Sequence, residues 1–323
     1  MLNYIFKNIS KKNIFFILFL RKSEKHLLQD IKNHNIILLI KKYITMSDKT
    51  EYKIVLSDLD GTLLIRGKDL VPESDKEAIQ KVREKGVKFI VCSARSIQLV
   101  KPILEQIGSY NLENEYSCLL NGALLIENTG KIIKYKGLPF TLVKEIFEFG
   151  QKYDVMFQCY SVDKCYTMRT IDAEIERKKV HKEEYEDITW EQFETLTDKE
   201  FGKVLYTKFD LEYLKNISKE VEDKFGDQIE ICFSANRYLE MSPKGISKGT
   251  ALKDISEYLN VDLKDTIAIG DDLNDLSMIE IAGLGCCVAN GKNEVKEKSK
   301  YVCEKNNEDG GVAEVLEKFI LKK

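Results

Sequence analysis

The 323-residue sequence is poor in several of the residues that announce special chemistry: four prolines, one tryptophan and three histidines. Few prolines and only 18 glycines exclude a collagen-like or low-complexity chain. Two of the histidines, His26 and His34, fall in the first 45 residues, which leaves His181 alone for the rest. That disfavours a hydrolase built on a Ser-His-Asp triad. The eight cysteines include no CxxC pair and no zinc-ligand spacing. Most sit in apolar runs, such as Cys92 in FIVCS, where a thiol behaves as a small hydrophobe. Cys286 and Cys287 read as buried strand residues rather than a redox pair. A reducing compartment is expected, with the cytoplasm as location. The apolar run Ile14 to Leu20 is seven residues, far short of the roughly 20 a bilayer requires, so no stable membrane insertion is expected. With 50 Lys and Arg against 53 Asp and Glu, the net charge of −3 argues against nucleic acid as the main partner.

That near-neutral sum conceals a split. Residues 1–45 carry nine cations and two anions, +7, while residues 46–323 carry 41 cations and 51 anions, −10. The first 45 residues lack Gly, Ala, Val, Pro and Cys, and 28 of them are Ile, Lys, Asn, Phe or Tyr, all written by A/T-rich codons. The segment reads as translated leader ahead of a start at Met46. A targeting segment built on Ile14 to Leu20, or a structured arm, are the alternatives. No small-residue cleavage site follows that run.

From residue 52 onward, short β-branched runs alternate with amphipathic stretches. Lys53 to Leu56 reads as a buried strand, Ser74 to Glu77 as a Ser-x-x-Glu capping box, and Gly86 as the end of the helix it opens. Strands follow at Val87 to Cys92 and Ser117 to Leu120, with a helix over 96–107 between them and a hairpin turning at Asn128-Thr129-Gly130. Such alternation predicts an α/β, doubly wound parallel sheet. The pattern changes over 138–242, where two helical stripes and several strands suggest an inserted α+β domain of ordinary size. The doubly wound rhythm resumes at Ser247, so the core comprises 46–137 and 243–323. The charge run around Arg177-Lys178-Lys179 reads as a solvated helix face and His181 as solvent-facing. Phe157, Tyr160, Tyr166 and Trp190 either line a substrate face of the insert or pack its core.

Ligands of open α/β sheets bind outside the carboxyl ends of the strands. Four predicted strands end there in polar residues: Asp58, Ser93, Asn121 and Asp271, with Lys248 on the helix opened at Ser247. Clustered carboxylates repel unless they share a cation or protons. An all-oxygen donor set suits magnesium, which prefers few carboxylates plus substrate phosphate. A lysine and a hydroxyl beside them would orient phosphoryl oxygens. Asp58 is then placed as an in-line nucleophile and Asp60 as general acid and base.

These residues resemble the motifs of the haloacid dehalogenase superfamily. Ser57 to Leu64 (SDLDGTLL) is similar to its DxDGT signature, Cys92 to Arg95 (CSAR) to its second motif, Ile246 to Gly249 (ISKG) to its third and Gly270 to Asp275 (GDDLND) to its GDxxND fourth. The order, the triplet Asn121-Gly122-Ala123 and the large insert between the second and third motifs resemble the Cof-type, subfamily IIB branch. The resemblance implies a Rossmann-like core with an α+β cap, and a magnesium-dependent hydrolase acting through an aspartyl-phosphate on Asp58. It further implies magnesium held by the Asp58 carboxylate, the Asp60 backbone carbonyl and Asp271, with Asn274 and Asp275 completing or supporting that shell. Ser93 and Lys248 would bind the phosphoryl group, Thr62 would contact phosphate and Asn121 substrate, and Gly61 would permit the turn after the strand. Asp272 reads as a turn or cap residue. The expected partner is a small phosphorylated metabolite, a sugar phosphate or a phosphorylated cofactor, and the expected state a monomer or small homo-oligomer. A phosphomutase of the phosphomannomutase type and a non-catalytic phosphate-binding module are the alternatives. Asp60 disfavours dehalogenation, because true dehalogenases lack that second aspartate.

Overall fold

The computed structural model describes residues 51–322; the segment read as leader, targeting signal or arm lies outside the described residues. In chain order the first elements are β1 (Ile54–Ser57), α1 (Glu73–Glu84), β2 (Lys88–Cys92), α2 (Ile97–Gln106), β3 (Tyr116–Leu119), β4 (Leu124–Glu127) and β5 (Ile132–Tyr135). Next come β6 (Leu138–Pro139), α3 (Phe140–Gly150), β7 (Met156–Tyr160), β8 (Cys165–Met168), α4 (Asp172–Val180), β9 (Glu186–Asp187) and α5 (Trp190–Phe193). They are followed by β10 (Glu200–Phe201), β11 (Lys203–Thr207), α6 (Leu211–Phe225), β12 (Ile229–Ser234) and β13 (Tyr238–Pro243). The last are α7 (Lys248–Tyr258), β14 (Thr266–Gly270), α8 (Leu276–Ile281), β15 (Leu284–Cys287), α9 (Asn293–Lys298), β16 (Tyr301–Val302) and α10 (Gly311–Leu316).

β1 is wholly buried, as a strand covered on both faces must be. It pairs in parallel with β2 on one side and β14 on the other, at the centre of an eight-stranded sheet ordered β16-β15-β14-β1-β2-β3-β4-β5. Pairing is parallel from β16 to β3 and antiparallel through β4 and β5. One face is covered by Ala78, Ile79 and Val82 of α1, Ile103 and Leu104 of α2, and Val312 and Val315 of α10. Leu252 and Ile255 of α7 with Met278 and Ile279 of α8 cover the other. This is an α/β, Rossmann-like doubly wound sheet. The order in which strands are added reverses at β1, with β2 and β3 on one side and β14, β15 and β16 on the other, so the crevice at its carboxyl end is the topological switch point where ligands bind.

The helix starts follow local chemistry, with one correction. The Ser74–Glu77 capping box does not form: α1 begins at Glu73, with Pro72 at φ −55° at its N-cap and no side-chain cap. Proline arrives with the φ a helix needs, which leaves Ser74 inside the first turn. The other end is as expected. Gly86 takes φ +81°, its N–H reaching Arg83 O at 2.8 Å, while the Val87 N–H reaches Val82 O at 3.1 Å, a Schellman ending.

The chain between β5 and α7 builds a six-stranded sheet ordered β12-β13-β11-β7-β8-β9, antiparallel except for the β8–β9 pair. Its two faces differ sharply. Phe157, Cys159, Val204, Tyr206, Leu239 and Met241 alternate onto one face and pack against α3 and α6. Tyr160, Lys203, Glu240 and Tyr238, which the register places on the opposite face, are also buried. α4 lies against that polar face, which corrects the expectation of a solvated helix. Lys178 is fully buried, its Nζ 2.8 Å from Glu183 Oε1, 3.1 Å from the Tyr160 hydroxyl and 3.4 Å from Cys165 Sγ. Glu174, equally buried, accepts from the Tyr238 hydroxyl at 2.7 Å and pairs with Arg177. A charge run read alone gives no sign that a polar sheet face awaits it. Phe157 and Tyr166 join the apolar core of this unit, and Trp190 packs against it. The eight cysteines are free, and all but Cys232 are buried, including Cys286 and Cys287 in β15. Among the described residues no helix is long and apolar enough to cross a membrane.

Candidate active site

Two strand ends, the turn after one of them and one helix start bring the predicted charges together. Asp58 follows β1, where its N–H donates to Ile269 O at 2.9 Å, so the neighbouring strand fixes its backbone. Asp271 follows β14, and Asp275 closes the short turn after it. Lys248 is the first residue of α7, a helix capped by the Ser247 hydroxyl, which accepts from the Thr250 N–H. Its ammonium donates to Asp58 Oδ1 at 2.5 Å and Asp275 Oδ1 at 2.6 Å, with only 1 % of the residue exposed. The other oxygen of Asp275 accepts from the N–H groups of Asp271 and Asp272 at 2.9 and 3.0 Å. Asp272 caps the turn and pairs with Lys292, as a turn residue would.

One carboxylate oxygen each of Asp58, Asp271 and Asp275 lie within 4.8 Å of one another. Burial above all, then the charges of Asp275, Asp271 and Asp60, push the Asp58 pKa well up, against the pull of Lys248. Asp271 is pushed up to about 7, chiefly by burial and then by Asp275. Burial works against the charge of Lys248, but Asp275 and Asp58 outweigh it and hold its pKa well above the ordinary lysine value. Three gathered carboxylates against one ammonium leave negative charge uncompensated. The hard oxygen donors fit a divalent cation of the magnesium type.

The remaining predicted residues divide. Ser93 follows β2, 1 % exposed, its hydroxyl accepting from the Arg95 N–H at 3.2 Å and its carbonyl from the Asn121 N–H at 3.0 Å. Thr62 is fully buried and its hydroxyl donates to Asp271 Oδ1 at 2.8 Å, orienting that carboxylate. Asn121, at φ 58°, donates to Glu240 Oε2 of the inserted sheet at 3.1 Å, while its buried Oδ1 has no partner. Asn274 is exposed. Asp60 stands apart from the triad: its side chain is 60 % exposed and clasped by Arg95, Nε to Oδ2 at 2.8 Å and Nη2 to Oδ1 at 2.5 Å.

The sequence reading passed over four residues here. Arg95, inside the CSAR motif, clasps Asp60 with two of its nitrogens. Asp69 bridges Arg95 and His181, which corrects the solvent-facing reading of that histidine: its Nδ1 is 2.9 Å from Asp69 Oδ2. Lys203 donates to Ala94 O at 3.0 Å and lies 3.5 Å from Glu240. Asn290 donates to Gly61 O at 2.7 Å, holding the turn after β1. None of these contacts has a spacing signature, because each joins segments far apart in the chain.

Comparison with known proteins agrees with this geometry. Residues 55–316 match the family described as haloacid dehalogenase-like hydrolase. A phosphatase of Bacillus subtilis is 26 % identical over 282 residues, covering 80 % of this chain and 96 % of that protein. A 5-amino-6-(5-phospho-D-ribitylamino)uracil phosphatase of the same organism is 24 % identical over 274 residues, covering 85 % of this chain and 98 % of that protein. The crystal structure of a haloacid dehalogenase-like hydrolase from Bacteroides thetaiotaomicron superposes with a TM-score of 0.75 at 25 % identity, covering 84 % of this chain and all of that one. A subclass IIB sugar phosphatase shares the fold, with a TM-score of 0.70 at 21 % identity over 83 % of this chain and 98 % of its own. Four motifs in order at the strand ends and one helix start of a doubly wound sheet, and a match spanning nearly all the described residues, thus have one account: the chain belongs to the haloacid dehalogenase-like hydrolases, as a phosphatase.

Proposed function

We propose that the protein hydrolyses phosphate monoesters of small metabolites, sugar phosphates or phosphorylated cofactors, through an aspartyl-phosphate on Asp58. The observation that carries this reading is the Asp58 carboxylate, buried at the switch point and held at 2.5 Å by Lys248 beside Asp271 and Asp275. An Asp58 oxygen attacks phosphorus in line, and the bond to the leaving oxygen breaks as Asp60 gives that oxygen a proton. Water then attacks the phosphorus of the aspartyl-phosphate and yields its proton to Asp60, which releases inorganic phosphate and restores Asp58. Lys248 and the Ser93 hydroxyl neutralise and orient the phosphoryl oxygens. Magnesium, when bound by the Asp58 carboxylate, the Asp60 backbone carbonyl and Asp271 beside Asn274 and Asp275, supplies further charge neutralisation to that group.

Residues 138–242 act in this reading as a cap that selects the leaving group and excludes water, hinging near Gly137–Pro139 and Met241–Gly245. The relatives' substrates, a sugar phosphate and a phosphorylated ribitylaminouracil, support a polyhydroxylated leaving group. The test is turnover of p-nitrophenyl phosphate and of a phosphorylated-metabolite panel with and without magnesium. Expected are turnover lost with EDTA and a drop of about 10³-fold or more in Asp58→Asn, the loss typical of removing a nucleophile. No turnover of any phosphoester would sink the reading in favour of a binding module. Bisphosphate-activated interconversion of hexose phosphates would replace it with a mutase.

A further inference from the structure

A chain of charged side chains leads from Asp60 out of the core and into the inserted unit. Asp60 is held by two nitrogens of Arg95, an arrangement that fixes the plane of a carboxylate as well as its position. The third nitrogen of Arg95 is spent on Asp69 Oδ1 at 2.7 Å. Asp69 lies in the loop between β1 and α1, and its other oxygen meets His181 Nδ1 at 2.9 Å. His181 caps the carboxyl end of α4, the helix anchored on the polar face of the inserted sheet through Lys178 and Glu174. The chain thus joins four residues from two units.

The geometry points to Arg95, Asp69 and His181 as a relay of positioning residues that makes the aim of Asp60 depend on the inserted unit being seated on the core. The assignment rests on the phosphatase reading, in which Asp60 moves the protons. Each link is directional. Arg95 is largely buried while Asp60 is not, so an exposed carboxylate that would otherwise sample several rotamers is held by a fixed guanidinium. Asp69 is pushed up by burial, yet the hydrogen bond from His181 and the charge of Arg95 bring its carboxyl below the ordinary value. It is therefore a charged anchor for both. Arg95 has its five N–H donors and no acceptor, so Asp69 is what keeps its fork turned toward Asp60. When the inserted unit lifts, His181 leaves with α4 and Asp69 loses the partner that holds its second oxygen.

A double-mutant cycle on the full chain tests this. With magnesium and saturating p-nitrophenyl phosphate, His181→Ala is expected to lower kcat by about tenfold while KM changes by less than about threefold, and Asp69→Asn to do the same. In the Asp60→Asn background, followed by its residual turnover at high enzyme concentration, His181→Ala should change kcat by less than about twofold, because its target is gone. His181→Asn, whose side-chain N–H can stand where Nδ1–H stands, should recover most of the loss. Losses of equal size in both backgrounds would mean that His181 serves only the packing of the unit, and would overturn the relay. So would full activity in His181→Ala, or no recovery in His181→Asn. Thermal melts accompany each variant, and Asp69→Asn carries the same comparison if His181→Ala does not fold. An unmutated protein that turned over no phosphomonoester would fail the phosphatase reading instead, before any variant is made.

Discussion

At Gly61 the chain turns with φ +88°, and a Cβ there would lie 2.4 Å from Oδ2 of Asp271. Two requirements meet in one residue: a backbone conformation that L side chains rarely adopt, and a carboxylate that must approach the backbone closely. Gly61→Ala therefore has to move Asp271, the residue that Thr62 orients at 2.8 Å. We expect activity to fall by about 10²-fold, in keeping with an ångström-scale displacement in an active site. The magnesium concentration for half-maximal turnover should rise, with a stability loss of about 1–3 kcal/mol from the strained φ. Turnover titrated against magnesium in both proteins checks this; a variant with unchanged metal dependence would contradict the proposed ligand set. Gly61 was legible in the sequence because DxDGT is a contiguous signature. So were Asp60 in the same signature, Asp58 and Asp271 just past periodic strands, and Lys248 at the start of a helix. Arg95 stood within a recognised motif, yet its partner Asp69 is 26 residues upstream in an irregular loop with no periodicity to read.

Secondary elements are tied together by side chains that no helical or strand pattern announces. Asp75, fully buried in α1, accepts from the Ala313 N–H at 2.6 Å and so binds α10 to α1, while its second oxygen has no partner. Burial, opposed by that hydrogen bond and by Lys305, pushes its pKa up to about 7, against 3.8 for an ordinary aspartate. The folded protein therefore holds a proton here that the unfolded chain has lost, across the window from about pH 4 to pH 7. Raising the pH through that window favours the unfolded state, by at most about 1.4 kcal/mol per pH unit from this group. The expected outcome is that the stability of the unmutated protein relative to Asp75→Asn falls by about 2 kcal/mol between pH 5 and pH 7, then stays flat above pH 8. Urea unfolding of both proteins across that range measures it, and parallel curves would refute it. The sequence pattern placed α1 and the strands around it correctly, because a doubly wound sheet forces periods of two and of 3.6 residues onto apolar positions. It misjudged α4 for the same reason: Arg177, Lys178 and Glu183 bury by pairing with one another and with tyrosines, which leaves no apolar stripe to read.

For the molecule as a whole, the junction between the inserted unit and the core is where access and chemistry meet. Asp58, Ser93 and Lys248 are 5 %, 1 % and 1 % exposed, so in the proposed reaction a metabolite enters only when the two units part. Beside the apolar contact of Tyr160, Leu205 and Tyr238 with the core, polar contacts cross the junction: Lys203 to Ala94 O, Asn121 to Glu240, Gln98 to Asp163 O, Tyr135 to Glu200 O, and His181 to Asp69. Polar contacts of this sort exchange readily for water, which suits a surface that opens in every cycle. Gly202 sits against the core, where a Cβ would meet Leu120 Cδ1 at 2.7 Å, Tyr135 Cε2 at 3.3 Å and Ala123 Cβ at 3.4 Å. Its φ is not positive, so a side chain is excluded by the neighbouring unit and not by its own backbone. Gly202→Val should act as a wedge against Leu120 and Ala123 that holds the units apart. KM for a metabolite selected from the substrate panel should rise by about tenfold, because the contacts that select its leaving group no longer close on it. KM for p-nitrophenyl phosphate, a small and undemanding substrate, should rise by less, and amide hydrogen exchange should increase at Ala94 and Asn121 but not in β1 or β14. Unchanged kinetics on both substrates would show that the reaction does not need the seated junction. An equal collapse on both, with faster exchange in β1, would mean that the valine had disrupted the core itself.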